Sequence, residues 1–600
     1  MNTVNKKKLI VFGGATFVVF LLLFMVISAI LAGNAKIAWS YGVMLISAAG
    51  IFYTIAFFNF SGRFLAALGV FSLLYLSVPF IKPLLSLELG VTELLNALFL
   101  GATLFSVSGW IFFILRKIPL RLPRYLFVAL FLCSYALLQL FPLSVWSYYL
   151  AMGELISSDI ILALFQTNAQ ESWEYVLSHL NLGWGIALLV IVAVLYLNFR
   201  LLKGVESRPF RLRFLSGLFL FVYLLFLVLE MVPQYDYLAS YVLRFTGRQL
   251  SEFKHYKEVA KNREQMLRSL QGLKTAEGGV FVLVLGESEN RDHMGAYGYR
   301  RDTTPFLSEL LKKNDDKLVV FKNAYASFPQ TVPALSYALS QKNQYNDIEL
   351  SRAFSIIEIA KASGYKTYWL SNQRKYGVYE TPITVISSSC DEEFWLNNTS
   401  RLYSIFDDGA LLQHLPAEIF SDANALLVIH LMGSHQRYKE RTPDSFKAYS
   451  GGDPNEDAYD DSVRYTDFVL HSLDEELRKI PNYRGLVYLS DHAEELGKVC
   501  DHNPTKFSFD MVRIPLVMRF TEEFIKQRSE LFSHLRNNTD TVWSNDLLFE
   551  TMVDILGISG VPDYKAELSL GAEQFLLKKD EIMTMHGKVK VTSDPHESGQ

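Results

Sequence analysis

Apolar positions are distributed in two different ways along this chain. Up to about Val232 they come in long unbroken stretches, and beyond Pro233 they come as short runs separated by charged, periodic segments. A helix needs about 20 apolar residues to cross a bilayer. Seven stretches approach that length: residues 9–32, 38–60, 64–81, 91–115, 125–148, 182–197 and 214–232. Residues 1–232 are therefore expected to form a transmembrane domain of about seven helices. The loop over 155–180 is amphipathic, with Asp159, Gln166, Thr167, Asn168, Glu171 and Glu174 among Ile, Leu, Phe and Trp173. That pattern suits one or two short helices lying in the membrane interface. Residues 233–275 read as a linker with a helical stretch over 250–270, residues 276–580 as an α/β domain, and residues 581–600 as a polar tail expected to fray.

In the second half, four apolar runs end in polar residues. Val280–Leu285 leads into Gly286-Glu287-Ser288, and Thr367–Leu370 into Ser371-Asn372-Gln373. Leu426–Leu431 leads into Gly433-Ser434-His435, and Leu486–Leu489 into Ser490-Asp491-His492-Ala493-Glu494-Glu495. Short apolar runs of this kind read as buried strands. Helical patterns alternate with them over 304–313, 355–362, 460–479 and 544–556, the last closed by Gly557. Such alternation argues for a mostly parallel sheet covered by helices. In open α/β sheets ligands bind at the carboxyl ends of the strands. Glu287, Asn372, His435 and the Asp491-His492 pair are thereby brought to one expected rim.

Charge changes the picture in one respect. The loops carrying Lys6, Lys7 and Lys8, then Arg63, then Arg116, Lys117, Arg121 and Arg124, then Arg200, Lys203, Arg208, Arg211 and Arg213 alternate with loops holding only Lys36 and Lys82. By the positive-inside rule the N-terminus is cytoplasmic. An odd number of crossings then puts the second half outside the cytoplasm. The overall net charge of −4 gives no sign of nucleic-acid binding. Three cysteines, Cys133, Cys390 and Cys500, make no metal motif, though Cys390 and Cys500 can pair in an exported domain.

A hydroxyl nucleophile needs activation, because at neutral pH it is almost wholly protonated; a bound metal supplies that activation. Thr331, in Ser327-Phe328-Pro329-Gln330-Thr331-Val332-Pro333-Ala334-Leu335, is the candidate. Pro333 suits the first turn of a helix. Thr331 then sits at or just before a helix N-terminus, where backbone N–H groups and the dipole favour an anion. The plainer reading makes Thr331 an N-cap only, and Ser327 and Ser288 are rival nucleophiles.

Glu287 in Gly286-Glu287-Ser288, followed by Tyr297-Gly298-Tyr299-Arg300-Arg301-Asp302-Thr303-Thr304-Pro305, and completed by Gly433-Ser434-His435 and Ser490-Asp491-His492, resembles the motif set of bacterial phosphoethanolamine transferases. These are membrane-anchored members of the alkaline phosphatase/sulfatase superfamily. Gly433–Tyr438 and Thr331-Val332-Pro333 look closest to the branch that modifies lipopolysaccharide core heptose. The resemblance implies an α-helical transmembrane bundle followed by a sulfatase-like α/β domain. It implies Zn2+ held by Glu287, Thr331, Asp491 and His492, with Thr331 as both ligand and nucleophile. Two carboxylates, an imidazole and a hydroxyl suit zinc's four-coordinate N/O chemistry. By the same resemblance His435 and His502 contact phosphate or protonate the leaving group. Gln166-Thr167-Asn168 with Glu171 is similar to a segment that holds the donor's ethanolamine.

This sequence departs from the pattern at three positions. Ala493 follows Asp-His where Gly is usual, Ala163 precedes Thr167 where relatives carry Asn, and Arg513 stands before Ile514-Pro515 where many carry His. Arg513 is expected to keep a phosphate-binding role, since Arg binds phosphate bidentately. Asn372 is expected as a substrate-binding residue of the rim. The implied reaction moves phosphoethanolamine from phosphatidylethanolamine to lipopolysaccharide core, lipid A or another envelope acceptor. It takes place at the periplasmic face of the bacterial inner membrane. One alternative is phosphoglycerol transfer to a glucan or teichoic acid. Another, of a different class, is a non-catalytic membrane scaffold or sensor, against which the intact set Glu287, Thr331, Asp491 and His492 argues.

Overall fold

The computed structural model describes chiefly residues 62–84, 91–116 and 141–150 of the apolar half and residues 278–373, 382–397, 406–496 and 504–596 beyond it, with isolated positions such as His502. The chain divides into two compact units. Among the described residues of the first, one helical run, Gly62–Leu84, is long and apolar enough to cross a membrane. It covers the third expected span. It comprises helix α1 (Gly62–Ser77), a 3-10 turn over Val78–Phe80 and a last turn Ile81–Leu84. Pro79 accounts for the tightened turn, because its ring displaces the carbonyl four residues back and it has no N–H to donate. Helix α2 (Val91–Arg116) lies over the fourth apolar stretch. It packs on α1 through Phe64, Leu68, Phe71, Phe105 and Phe112. Gly101 allows the close approach, since a Cβ there would lie 2.8 Å from the carbonyl oxygen of Ser72. The remaining expected spans, and the 155–180 loop with Thr167 and Glu171, lie in whole or large part outside the described residues.

The second unit is built on a seven-stranded sheet. Its strands are β1 (Val280–Gly286), β2 (Leu318–Phe321), β4 (Lys366–Ser371), β5 (Glu392–Trp395), β6 (Ala425–His430), β7 (Tyr483–Ser490) and β8 (Leu516–Phe520); a short β3 (Asn323–Tyr325) lies outside that sheet. The order across the sheet is β2-β8-β7-β1-β6-β4-β5. Strands β7, β1, β6, β4 and β5 run parallel. The expectation of a mostly parallel sheet is corrected here: β8 is antiparallel to both of its neighbours, β7 and β2, so the sheet is mixed. The reason lies in the connection. A parallel pair needs a crossover, usually helical. Among the described residues between β7 and β8 only 3-10 turns occur, Pro504–Lys506 and Phe509–Met511.

Side chains on a strand alternate between faces. Phe281, Leu283, Leu285, Trp369, Leu426, Val428, Val487 and Leu489 therefore share one core with helices α4 (Thr331–Ala338), α5 (Ile356–Ala362) and α7 (Leu548–Ile555). Val282, Val284, Tyr368, Leu370, Leu427 and Ile429 share the opposite core with α3 (Pro305–Lys312) and α6 (Pro454–Leu477). Both faces are covered, which is why these strands read as continuous apolar runs. Helix α6 starts earlier than the expected 460. Asp453 caps it by accepting from the N–H groups of Asn455 and Glu456, and Pro454 occupies the first turn.

The expected polar tail is also corrected. Ile582, Thr584, Val591 and Asp594 are buried, and Met583–Thr584 (β10) pairs with Val589–Lys590 (β11) across a turn, β9 (Val542–Ser544) having paired with β3 before it.

Candidate active site

Strand register places the functional residues together. Gly286 pairs with Ser490, Leu285 with His430, and Ser371 with His430, so β1, β7, β6 and β4 end level with one another. Glu287 leaves the end of β1, and Asp491 and His492 leave the end of β7 beside it. Their ligand atoms all lie within 4.8 Å of one another, and all three residues are buried. His492 Nε2 is 3.3 Å from Glu287 Oε1 and 3.6 Å from Asp491 Oδ2.

Thr331 opens α4 and brings its hydroxyl to the same point. Oγ1 is 3.1 Å from Glu287 Oε2 and 3.4 Å from His492 Nε2. Pro333 falls in the first turn, so the sequence signal for a helix start holds, with Thr331 as the first helical residue and Gln330 before it. The rival hydroxyls are placed differently. Ser288 and Ser327 are both fully buried, and Ser288 Oγ donates to Glu287 Oε1 at 2.9 Å.

Three observations fit this group to a divalent cation. Asp491 Oδ2 is buried and has no hydrogen-bond partner. A buried carboxylate oxygen left unpaired is costly, and a cation resolves that cost. His492 Nδ1 lies 3.0 Å from the carbonyl oxygen of Ala493, to which it donates, so Nε2, facing the carboxylates, is the nitrogen left for a cation. Two carboxylates, one imidazole and a hydroxyl make an N/O donor set of the kind zinc takes.

The charges respond to the crowding. Burial works against the ionised Glu287, but the hydrogen bond and charge of His492, with His435 and His430, hold it well below the usual carboxylate range. Burial and the Glu287 charge raise Asp491. Burial opposes the charged His492, yet Asp491 and Glu287 outweigh it and push the imidazole up to about 10. Without metal, then, His492 carries a proton at neutral pH. A cation must displace it, so binding releases protons and affinity falls as the pH is lowered. Calorimetry of zinc binding at pH 7 in buffers of different ionisation enthalpy is expected to show release of about one proton or more per ion. Release near zero at pH 7 would contradict the proton balance described.

The surrounding loops hold these ligands still. The Asp408 carboxylate accepts from the N–H groups of Met432 and Gly433, each at 2.8 Å, and from the Asn372 amide at 2.8 Å. Ser434 N donates to the Glu287 carbonyl at 2.9 Å. Gly433 has φ +49°, and a Cβ there would lie 2.7 Å from the Glu287 carbonyl oxygen and 2.9 Å from its nitrogen. Both obstacles are backbone. Gly433→Ala is therefore expected to displace Glu287 and lower activity by more than about tenfold. Zinc titration should show weaker binding in the same variant; wild-type values of both would remove Gly433 from the ligand scaffold. Asn545 joins the two halves of the site: its side chain accepts from Ser327 N and donates to the Asp491 carbonyl, both at 2.8 Å.

The expected histidines sit around this centre. His435 follows β6, and its charge acts on Glu287. Arg441, buried, donates to the His435 carbonyl at 3.1 Å and so shapes that loop. The His502 ring lies 4.8 Å from the His492 ring, and its Nδ1 is 3.0 Å from the Glu494 carboxylate, which orients it.

Two expectations change. The Arg513 guanidinium is taken up bidentately by Asp594, at 2.6 and 2.8 Å, and also by Asp292 at 3.0 Å and by Asp510. It is an internal anchor rather than a group presented to phosphate. Asn372 is likewise buried, with its amide on Asp408 and the Phe406 carbonyl and its oxygen on Asn397. Its neighbour Gln373 reaches the centre instead, donating to Glu287 Oε2 at 3.2 Å and the Leu431 carbonyl at 2.9 Å. The sequence signal for Gln373 was present, since it stands one residue past Asn372 at the end of the same strand. Asp408 lies on no strand end, and Asn545 follows the three-residue β9, too short a run to carry such a signal.

Residues 280–558 match the sulfatase family. Phosphoethanolamine transferase EptC of Escherichia coli (strain K12) is 29% identical over 453 residues, which cover 69% of this chain and 77% of that protein. The zinc complex of the C-terminal periplasmic domain of EptC from Escherichia coli is similar at 27% identity and a TM-score of 0.50, covering 55% of this chain and 97% of that one. The fold is shared as well with the integral membrane lipooligosaccharide phosphoethanolamine transferase A from Neisseria meningitidis, at 18% identity and a TM-score of 0.53 over 85% of this chain and 98% of that one. The ends of four level strands, the carboxylate-imidazole cluster and these likenesses agree: the chain is a transferase with a sulfatase-family domain, similar over most of its length to the phosphoethanolamine transferases.

Proposed function

We propose that this chain transfers phosphoethanolamine from phosphatidylethanolamine to an envelope acceptor, the lipopolysaccharide core or lipid A, at the periplasmic face of the bacterial inner membrane. The observation that carries the reading is the Thr331 hydroxyl, 3.1 Å from Glu287 Oε2 at the first residue of α4. Zn2+ is the proposed cofactor, supported by the donor set and by the zinc complex of the Escherichia coli relative. Glu287, Asp491, His492 and Thr331 would hold it, and when bound it lowers the cost of ionising the hydroxyl.

The chain's own groups do the rest. Thr331 Oγ1 gives up its proton to solvent and forms a bond to the donor phosphorus while the bond from phosphorus to the diacylglycerol oxygen breaks. His502, oriented by Glu494, or His435 gives that departing oxygen its proton. The N–H groups opening α4 face the phosphoryl oxygens, where a helix N-terminus favours negative charge. In the second displacement the acceptor oxygen bonds to phosphorus and loses its proton to a histidine. The bond to Thr331 breaks, and the freed oxygen takes a proton from solvent to regenerate the hydroxyl. Glu171, with Thr167 beside it, pairs with the donor ammonium at the depth of the lipid head groups. The excess of Lys and Arg in alternate loops supports an N-terminus in the cytoplasm and a sulfatase-family domain outside it.

Mass spectrometry of lipopolysaccharide from cells with and without the gene tests the reading. A phosphoethanolamine increment should vanish on deletion and return with the wild-type gene but not with Thr331→Ala. A phosphoglycerol increment on an envelope glycan, or no change in any envelope component, would reject it.

A further inference from the structure

The C-terminal segment packs against the loop and the helix that carry Thr331. The loop Ala326–Gln330 delivers Thr331, and residues 584–594 hold that loop and the first turns of α4 from outside. Thr584 Oγ1 donates to the Ala326 carbonyl at 2.7 Å, and His586 N donates to the Ser327 carbonyl at 3.0 Å. The His586 ring lies flat on Tyr337 of α4, with centroids 4.0 Å apart and planes 5° apart, and 4.8 Å from the Phe328 ring. The same imidazole is hydrogen-bonded to the backbone of Pro333, two residues past Thr331. Met585 packs with Phe328 and Ala334. Three successive residues, Met585, His586 and Gly587, have positive φ angles of 54°, 51° and 80°. Two of them are not glycine, so this turn is held by its contacts, and residues so held cluster where position matters. Beyond it, the buried Asp594 takes Arg513 bidentately and accepts from Tyr325 at 3.0 Å, on the strand that enters the nucleophile loop.

We propose that residues 584–594 are a strap that sets the position of the Thr331 hydroxyl, with His586 as its positioning residue. The strap touches Tyr325, Ala326, Ser327 and Phe328 before Thr331, and Pro333, Ala334 and Tyr337 after it. It touches none of Glu287, Asp491 and His492. Its contribution is therefore to the placement of the nucleophile against a ligand cluster held by other elements. Misplacement of a reacting group by about 1 Å can cost about 100-fold in rate. The proposal rests on the reading of Thr331 as nucleophile.

The experiment uses the full-length protein in detergent, with a fluorescent phosphatidylethanolamine donor. Steady-state kinetics and zinc stoichiometry are measured for the wild type, His586→Ala, His586→Phe, Thr584→Val and Thr331→Ala. His586→Ala should lower kcat by about 10- to 100-fold while donor KM stays within about twofold and zinc stoichiometry is unchanged. His586→Phe keeps a ring on Tyr337 and should restore a large part of kcat. Thr584→Val removes a single hydrogen bond and covers the case in which His586→Ala does not fold. A kcat within about twofold of wild type in His586→Ala, or in Thr584→Val if only that one folds, overturns the strap. So does a loss of kcat that is matched by lost zinc. Thr331→Ala separates the two readings: activity retained there removes the nucleophile itself, whereas an inactive Thr331→Ala beside a fully active His586→Ala removes only the strap.

Discussion

Thr331→Val is expected to lower donor cleavage by at least about 1,000-fold, since the attacking atom is gone and only binding and electrostatics remain. Valine is β-branched like threonine and keeps its preferred side-chain rotamer at the start of α4. The change therefore removes the hydroxyl and its contacts with Glu287 and His492, 3.1 and 3.4 Å away, and little else. Glu287, Asp491 and His492 stay in place, so zinc should still bind. Thr331→Ser keeps the oxygen but frees its torsion, and a loss of about tenfold is expected. Donor carrying a labelled ethanolamine, mixed with wild-type protein and quenched early, should leave label on the peptide containing Thr331. Label on Ser327 or Ser288, or a Thr331→Val enzyme within tenfold of wild type, would sink the assignment. The structure makes both serines poor candidates, because each is fully buried and Ser288 is already committed to Glu287.

The site was legible wherever chemistry sits at the end of an apolar run. Glu287, Asp491, His492 and His435 follow such runs, and parallel register brings strand ends level as a matter of geometry. Thr331 was legible from Pro333, because proline in the first helical turn marks where N–H groups point outward. The readings that changed depend on partners distant in sequence. Arg513 looks the same whether it meets phosphate or a carboxylate, and it meets Asp594, 81 residues on. Asn372 and Gln373 are adjacent amides, and which of them turns toward Glu287 is decided by Asp408, a residue on a different loop. The apolar run of the antiparallel β8 is no different from that of a parallel strand, so its direction cannot be read from the run itself. The tail from Ile582 to Asp594 is polar in composition, and its burial rests on a few side chains, Ile582, Thr584, Val591 and Asp594.

Asp491→Asn should weaken zinc binding by at least about 100-fold while leaving the metal-free protein no less stable, and at alkaline pH more so. The first part follows from the ligand set, since a loss confined to groups outside the ligands already costs about 10- to 100-fold. The second follows from charge. In the metal-free site the cationic His492 and anionic Glu287 balance each other, and Asp491 is a second buried anion whose Oδ2 has no hydrogen-bond partner. Burial and the Glu287 charge raise its carboxyl from the ordinary 3.8 to about 7. A carboxyl whose pKa is raised by folding binds its proton more tightly in the folded state. Its ionisation therefore costs stability, beginning above the unfolded value and complete above the folded one. Asn keeps the acceptor used by Ser288 N and His492 N, at 3.1 and 2.7 Å, and carries no charge. Thermal unfolding of chelator-treated protein at several pH values should show the variant matching wild type near pH 4 and exceeding it at pH 8. Adding zinc at pH 8 should reverse the order, because ligand binding stabilises only the protein that binds it. A metal-free variant less stable than wild type at pH 8, or one that gains as much from zinc as wild type does, would mean that Asp491 is held by something other than an incoming cation.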